Sequence, residues 1–128
     1  VAAAVSLKNI EIVERENLVA NAAKMERYIK AGLNEFADHP FVGEIRGKGL
    51  LLGIELVSDK ESKTPLETAR SNAIVQNCMK QGVHVMRNGY TVPGLDNVLI
   101  MAPPLVLQES EADIIVDAIG NALKQALN

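Results

Sequence analysis

Arg87 is the residue in this sequence whose type and position best suit ligand binding. It follows the apolar stretch Val83-His84-Val85-Met86 and opens a loop carrying Gly89, Pro93 and Gly94. From such a position a guanidinium can reach into a cleft and grip a carboxylate through two parallel hydrogen bonds. Other candidates for chemistry fall away. His39, His84 and Cys78 share no metal-ligand spacing, so no metal site is expected. His39 precedes Pro40 and reads as a helix terminus, while His84 alternates with Val83 and Val85 on the outer face of a strand. The run Gly43-Glu44-Ile45-Arg46-Gly47-Lys48-Gly49 has three residues between its first glycines where a phosphate loop needs four, and Gly49 stands where Ser or Thr is required. Gly47 to Gly53 likewise misses the dinucleotide spacing, and both runs read as a glycine-assisted turn. No Gly-x-Ser-x-Gly elbow exists, and Cys78 sits inside a helix with no histidine nearby to activate it. Glu14/Glu16 and Glu109/Glu111 are two apart on helices, point to different faces, and read as solvated charges. From the residues alone, no complete active site is present.

Composition narrows the partners. The 128 residues amount to one domain, and 48% hydrophobic against 23% charged residues can bury a real core. A net charge of −3 and only four aromatic residues, Tyr28, Phe36, Phe41 and Tyr90, are the wrong balance for gripping phosphate backbones or stacking bases, so no nucleic-acid partner is expected. The longest apolar run, Val98 to Leu107, is broken by Pro103 and Pro104 and is about half of the ~20 residues a membrane span needs. The single cysteine fits a reducing cytoplasm. The chain opens Val1-Ala2-Ala3-Ala4-Val5, without Met or the basic region of a signal peptide, and reads as one cut inside a helix.

The elements that must position Arg87 follow from periodicity. Val5, Ile10 and Val13, then Leu18, Ala22, Met25, Ile29, Leu33 and Phe36, fall at helical spacing with a phase slip at Glu16-Asn17. This predicts two consecutive helices, the second stopped by Asp38-His39-Pro40. Leu50, Leu52, Ile54 and Leu56 then alternate with Leu51, Gly53, Glu55 and Val57, and the first set should face a core. Thr64-Pro65-Leu66-Glu67 has the pattern of a capping box with proline at the first helical position, which predicts a helix from Pro65 ended by Gly82. Val83–Met86 and Val98–Met101 read as short strands, and Glu109 to Leu127 as a last helix with Ile115, Val116, Ile119, Leu123 and Leu127 on one face. The economical packing is α+β: a mostly antiparallel sheet of three or four strands with helices on one face.

Four pieces in this order carry a resemblance. Arg46-Gly47-Lys48-Gly49-Leu50-Leu51-Leu52-Gly53-Ile54-Glu55-Leu56, then Gly82-Val83-His84-Val85-Met86-Arg87, then Val98-Leu99-Ile100-Met101-Ala102-Pro103-Pro104-Leu105, then a helix acidic at its start, closely resemble the C-terminal small domain of class III (ω-amino acid) aminotransferases. These are pyridoxal phosphate enzymes of fold type I. The resemblance spans essentially all of residues 1–128 and implies a single C-terminal domain of a larger enzyme, with Val1 to about Glu16 as the helix joining it to a large domain. It implies that the Schiff-base lysine, the aspartate on the pyridine nitrogen and the phosphate loop lie upstream, so no catalytic or cofactor-binding residue is assigned here.

The implied reaction moves an amino group from an ω-amino acid or amine to a keto acid such as pyruvate, in a cytoplasmic homodimer, and the fragment alone should be inactive. The arginine that looks like the counterpart of Arg87 binds the substrate carboxylate and can swing aside for amines without one. Many members have a short Gly-Asp-like turn after that arginine. The longer loop Asn88 to Asn97 resembles the taurine and β-alanine, pyruvate-dependent subgroup. Two other readings stay open: a non-catalytic α+β module that binds a small molecule or partner, and another class III branch such as an aminomutase or decarboxylase.

Overall fold

Leu50, Leu52, Ile54 and Leu56 are all buried, as their period-two spacing predicts, while Leu51 is 63% exposed on the opposite face. They belong to β2 (Leu51–Asp59) and the turn before it, in a computed structural model that describes residues 1–89 and 92–127. β2 pairs antiparallel with β1 (Val42–Lys48) on one side and β5 (Val98–Met101) on the other. The two-residue β4 (Met86–Arg87) completes the order β1-β2-β5-β4, and β3 (Thr64–Pro65) pairs with the far end of β2. The fold is α+β, with an antiparallel sheet as expected.

Helices cover the face on which Leu52, Ile54 and Leu56 lie. α2 (Leu18–Asn34) buries Met25, Ile29 and Leu33, α3 (Thr68–Lys80) buries Ile74 and Cys78, and α4 (Glu109–Gln125) buries Ile119 and Leu123 among the small residues Ala112, Ala118 and Ala122. Each large side chain taken from water contributes about 1.5–3 kcal/mol, and together they form one continuous core. Alanine and glycine let α4 approach closely: a Cβ on Gly120 would lie 2.2 Å from the Phe36 ring. Polar ties then set the register of α2 and α4. Tyr28 donates to Asp113 (2.8 Å), Lys24 pairs with Glu109 (2.7 Å), and the Asn21 amide donates to the Leu105 and Leu107 carbonyls (2.7 and 3.1 Å).

The phase slip at Glu16-Asn17 is real. α1 (Ala2–Arg15) ends there and Asn17 is left-handed (φ 52°, ψ 42°), a conformation asparagine tolerates. α1 buries no residue, and Val5, Leu7 and Ile10 are exposed.

Several expected boundaries shift, each for a local reason. Thr64-Pro65-Leu66-Glu67 does not start the helix. Thr64 and Pro65 pair with Asp59 and Val57, the Leu66 N–H donates to the Leu56 carbonyl (3.0 Å), and the Thr64 hydroxyl bonds Ser62 Oγ (2.7 Å) instead of capping. α3 therefore begins at Thr68. Val57, expected to face outward, is fully buried because Gly43 and Pro65 close over it.

The second helix ends at Asn34, short of Phe36, because residues 35–39 tighten into turns bonded three residues back. The strand expected at Val83–Met86 starts at Met86, since the Val83 N–H closes the end of α3 on the Cys78 carbonyl (3.0 Å). Leu127 is 52% exposed, two residues past the end of α4.

The turn joining β1 to β2 is a glycine turn, as its spacing predicts. Gly47 has φ 147°, and a Cβ there would lie 2.3 Å from the Leu51 carbonyl oxygen. The Glu26 carboxylate accepts from the Gly49 N–H (2.7 Å) and pairs with Lys30 (3.0 Å), pinning the turn to α2. Gly47→Ala is expected to destabilise the domain by about 1–3 kcal/mol through backbone strain. Urea denaturation with an unchanged m-value would register that as a lower midpoint.

Candidate functional site

Arg87 is the last residue of β4 and pairs with Leu99, which in turn faces Ile54 across the sheet. Side chains opposite one another in a ladder share a face, so Arg87 projects to the helix-covered side while Met86 lies on the open side, 48% exposed. At this sheet edge the first turns of α3 stand over the strand. The Arg87 Nε donates to Asn72 Oδ1 (3.0 Å), and Nη1 donates to both the carboxylate and the backbone carbonyl of Asp96. Thr68 Oγ1 lies 3.0 and 3.3 Å from the two Asp96 carboxylate oxygens, to which it donates.

Asparagines at the loop's base bring Asp96 back to Arg87. The Asn88 N–H donates to the Val98 carbonyl (2.9 Å), its side-chain oxygen accepts from the Val98 N–H (2.7 Å), and its amide donates to the Leu95 carbonyl (2.7 Å). Asn97, only 3% exposed, donates its side-chain amide to the Leu56 carbonyl (2.6 Å) and accepts the Leu56 N–H on its own carbonyl (2.7 Å). The loop thus leaves β4 and rejoins β5 at neighbouring points. Within the loop expected at Asn88 to Asn97, Tyr90 and Thr91 lie outside the described residues.

Thr68, Asn72, Arg87, Val92, Pro93 and Asp96 border a cavity of about 470 Å³. Its polar wall is a cation held at a fixed place, with hydrogen-bond donors and acceptors around it. Such an arrangement can bind a small anion, and the Thr68 hydroxyl and Asp96 carboxylate are committed to each other and to Arg87. The Asp96 carboxyl is held below its ordinary range, first by its hydrogen bond from Arg87 and further by Thr68. Sequence reasoning singled out Arg87 and missed Asp96, Asn72 and Thr68, which no local spacing ties to the arginine.

The other candidates lie apart from this site. His84 is exposed. His39 Nδ1 accepts from the Phe41 N–H (3.2 Å), its Nε2 is buried, and desolvation lowers its pKa. Among the described residues, no group of three or more His, Cys, Asp or Glu side chains could hold a metal ion. Glu109 pairs with Lys24, and Glu111 accepts from the Gln108 N–H at the start of α4 (2.9 Å), so neither is an acid–base pair.

Pyridoxal phosphate needs a lysine amine in a desolvated pocket. Among the described residues Lys30 alone is shielded from solvent in part, and its ammonium is committed to Glu26 (3.0 Å) and the Gly47 carbonyl (2.7 Å). Lys48, beside the β1–β2 turn, is 94% exposed. Among the described residues, no lysine amine is free in a desolvated pocket.

Comparison with known proteins places this geometry in context. The family model for class-III aminotransferases matches residues 1–123. The chain is 41% identical over 118 residues to the uncharacterized aminotransferase YhxA of Bacillus subtilis, covering 92% of this chain and 26% of that protein. It is 39% identical over 123 residues to the taurine–pyruvate aminotransferase of Rhodobacter capsulatus, covering 95% and 27%. Among solved structures, a Bacillus anthracis aminotransferase superposes with TM-score 0.93 at 42% identity, over 97% of this chain and 28% of that one. An omega transaminase from Pseudomonas jessenii in complex with PMP gives 0.86 at 35% identity, over 98% and 26%. The chain spans about a quarter of the length of the relatives it matches.

Two outcomes follow from the electrostatics of Asp96 and Cys78. Because Asp96 is held below the usual carboxylate value, its pairing with Arg87 contributes stability above that value and loses it as the pH falls through the depressed one. A carboxyl-carbon NMR titration should place Asp96 below about 3.9, the free-aspartate value, with Arg87→Ala bringing it back up. Burial pushes the Cys78 thiol up to about 11. A thiol reagent at neutral pH should therefore label Cys78 only after unfolding, and fast labelling of the native protein would contradict its burial.

Proposed function

The chain belongs to the class-III aminotransferase family, and from that premise we propose that residues 1–128 form the C-terminal domain of a larger pyridoxal phosphate-dependent transaminase. The complete enzyme moves an amino group from an ω-amino acid or amine to a keto acid, with pyruvate as the acceptor. Relatives named for taurine–pyruvate and putrescine–pyruvate transfer, at 39% and 33% identity, support that acceptor. Lys30, the one partly shielded lysine among the described residues, is committed to Glu26 and the Gly47 carbonyl, which supports a Schiff-base lysine and cofactor site outside these residues. We place the enzyme in the cytoplasm as a homodimer, where a lone thiol such as Cys78 stays reduced. α1, which buries no residue here, then serves as the helix leading from the large domain.

Within that reading, the chain's own contribution is recognition. Arg87 binds the carboxylate of the keto acid, and the observation that carries this is its guanidinium on the wall of a small cavity, already oriented to hold a carboxylate. A charge-assisted pair of parallel bonds suits a planar carboxylate and gives nothing to a plain amine. The acceptor is thereby oriented at its carboxylate end, leaving its carbonyl free to face the reacting group.

In the complete enzyme, Arg87→Ala should raise the KM for pyruvate about tenfold or more, the worth of one or two hydrogen bonds to a charged group. The KM for an amine without an acidic group should stay within about twofold of its starting value, on the same reasoning. Equal effects on both substrates would remove the carboxylate role. The purified 128-residue chain should show no transaminase turnover and no aldimine absorption when mixed with pyridoxal phosphate.

A further inference from the structure

His39 is a titratable group that the Arg87 site does not use, and its two ring nitrogens lie in unequal surroundings. Nδ1 accepts from the Phe41 N–H (3.2 Å), which fixes the neutral ring with its proton on Nε2. Nε2 is buried and has no hydrogen-bond partner. The ring also packs edge-on against Phe41, with centroids 5.6 Å apart. The backbone of the same residue holds the turn: the His39 N–H donates to the Phe36 carbonyl, and the His39 carbonyl accepts from the Val42 N–H (both 3.0 Å). One residue thus ties the end of α2 to the start of β1 through ring and backbone together.

The ring can hold Phe41 only while Nδ1 carries no proton. Adding one turns the acceptor into a donor that faces another donor, and puts a positive charge on a ring whose Nε2 has no partner. The charged neighbours do not compensate. From the loop between β2 and β3, the Lys60 ammonium lies on the Ala37 and His39 carbonyls (2.7 and 3.5 Å), and from α3 the Arg70 guanidinium lies 5.2 Å from the centre of the Phe41 ring. Both are cations. From α4 the Leu123 backbone favours the charged ring, but desolvation is the larger effect and lowers its pKa. Asp38, beside His39 in sequence, is exposed, and no carboxylate among the described residues helps to hold the charge.

We propose that His39 is an acid-sensitive latch on the connection from α2 to β1: the neutral ring holds residues 35–42 closed, and protonation releases them. Release frees the Phe41 and Val42 N–H groups, and with them the Phe41 carbonyl that accepts from Val57 (3.0 Å) at the buried end of β2. The open connection takes up its proton at the ordinary histidine value of about 6.5, and the closed one at a lower value. The latch is therefore at full strength above about pH 6.5 and loses strength as the pH falls from there through the depressed value. It acts apart from Arg87, so its test is independent of how the substrate is recognised.

Hydrogen exchange of the complete enzyme, read by mass spectrometry and corrected for the intrinsic effect of pH, tests the latch. Protection of the Phe41 and Val42 amides should fall about threefold or more between about pH 7.5 and 5.5. The amides of Leu52 to Ile54, at the centre of the sheet, should keep theirs and serve as the reference in the same molecule. His39→Asn places an oxygen where Nδ1 now accepts and cannot titrate, so its protection should stay level over that range. A wild-type loss that begins only in the carboxylate range, near about pH 4, overturns the proposal, and this comparison decides the matter if His39→Asn does not fold. A loss that His39→Asn leaves unchanged overturns it as well, since another group would then be taking up the proton.

Discussion

The hydrogen-bonding of β2 on both edges is the constraint from which the other positions follow. β1 takes one edge, β5 takes most of the other, and β3 and Asn97 take the groups left at its far end. Because β2 is paired all along its length, the faces of its alternating side chains are fixed. Leu52, Ile54 and Leu56 go under the helices, and every strand in register with them inherits the same assignment. Arg87 reaches the helix-covered side only through that inheritance, from Ile54 to Leu99 to Arg87. A slip of one residue between β5 and β4 would send the guanidinium to the open side of the sheet, where Met86 now lies.

Patterns whose partners are near in sequence were legible. The alternation around Ile54 identified the core strand, the helical spacing from Leu18 to Leu33 identified α2, and the phase slip located Asn17. Thr64 to Glu67 misled because a capping box is a local signal, and the same residues carry a distant obligation: the Leu66 N–H is wanted by the Leu56 carbonyl, and burying Leu66 favours that alternative. Val57 misled for a similar reason, since period-two reading assumes one covered face and the end of β2 has chain on both. At the candidate site, Arg87 could be picked out by type and loop position. Asp96 could not, because its meeting with Arg87 depends on where Asn88 and Asn97 bond, and no spacing rule connects those pairs.

The candidate site is built from few buried groups. Thr68 and Asn72 are exposed helix residues near the start of α3, and neither belongs to the core. They meet Arg87 because α3 begins at Thr68, three residues later than the start expected at Pro65. The helix start and the candidate site therefore depend on the same short pairing of Thr64 and Pro65 with β2.

α1 differs in kind from the rest of the fold. Its fourteen residues bury nothing, and its side-chain support is local: Lys8 and Arg15 pair with Glu11 on its surface. Isolated helices shorter than about 12–15 residues are marginal in water, because nucleation fixes several dihedrals for one hydrogen bond. With a left-handed Asn17 separating it from α2, α1 cannot extend the neighbouring helix and must nucleate by itself. Only Ile12 and Val13 near its end are half-buried, so its helicity is governed largely by a helix–coil equilibrium of its own, and heating or mild denaturant should fray it gradually from Ala2 while the sheet is still intact.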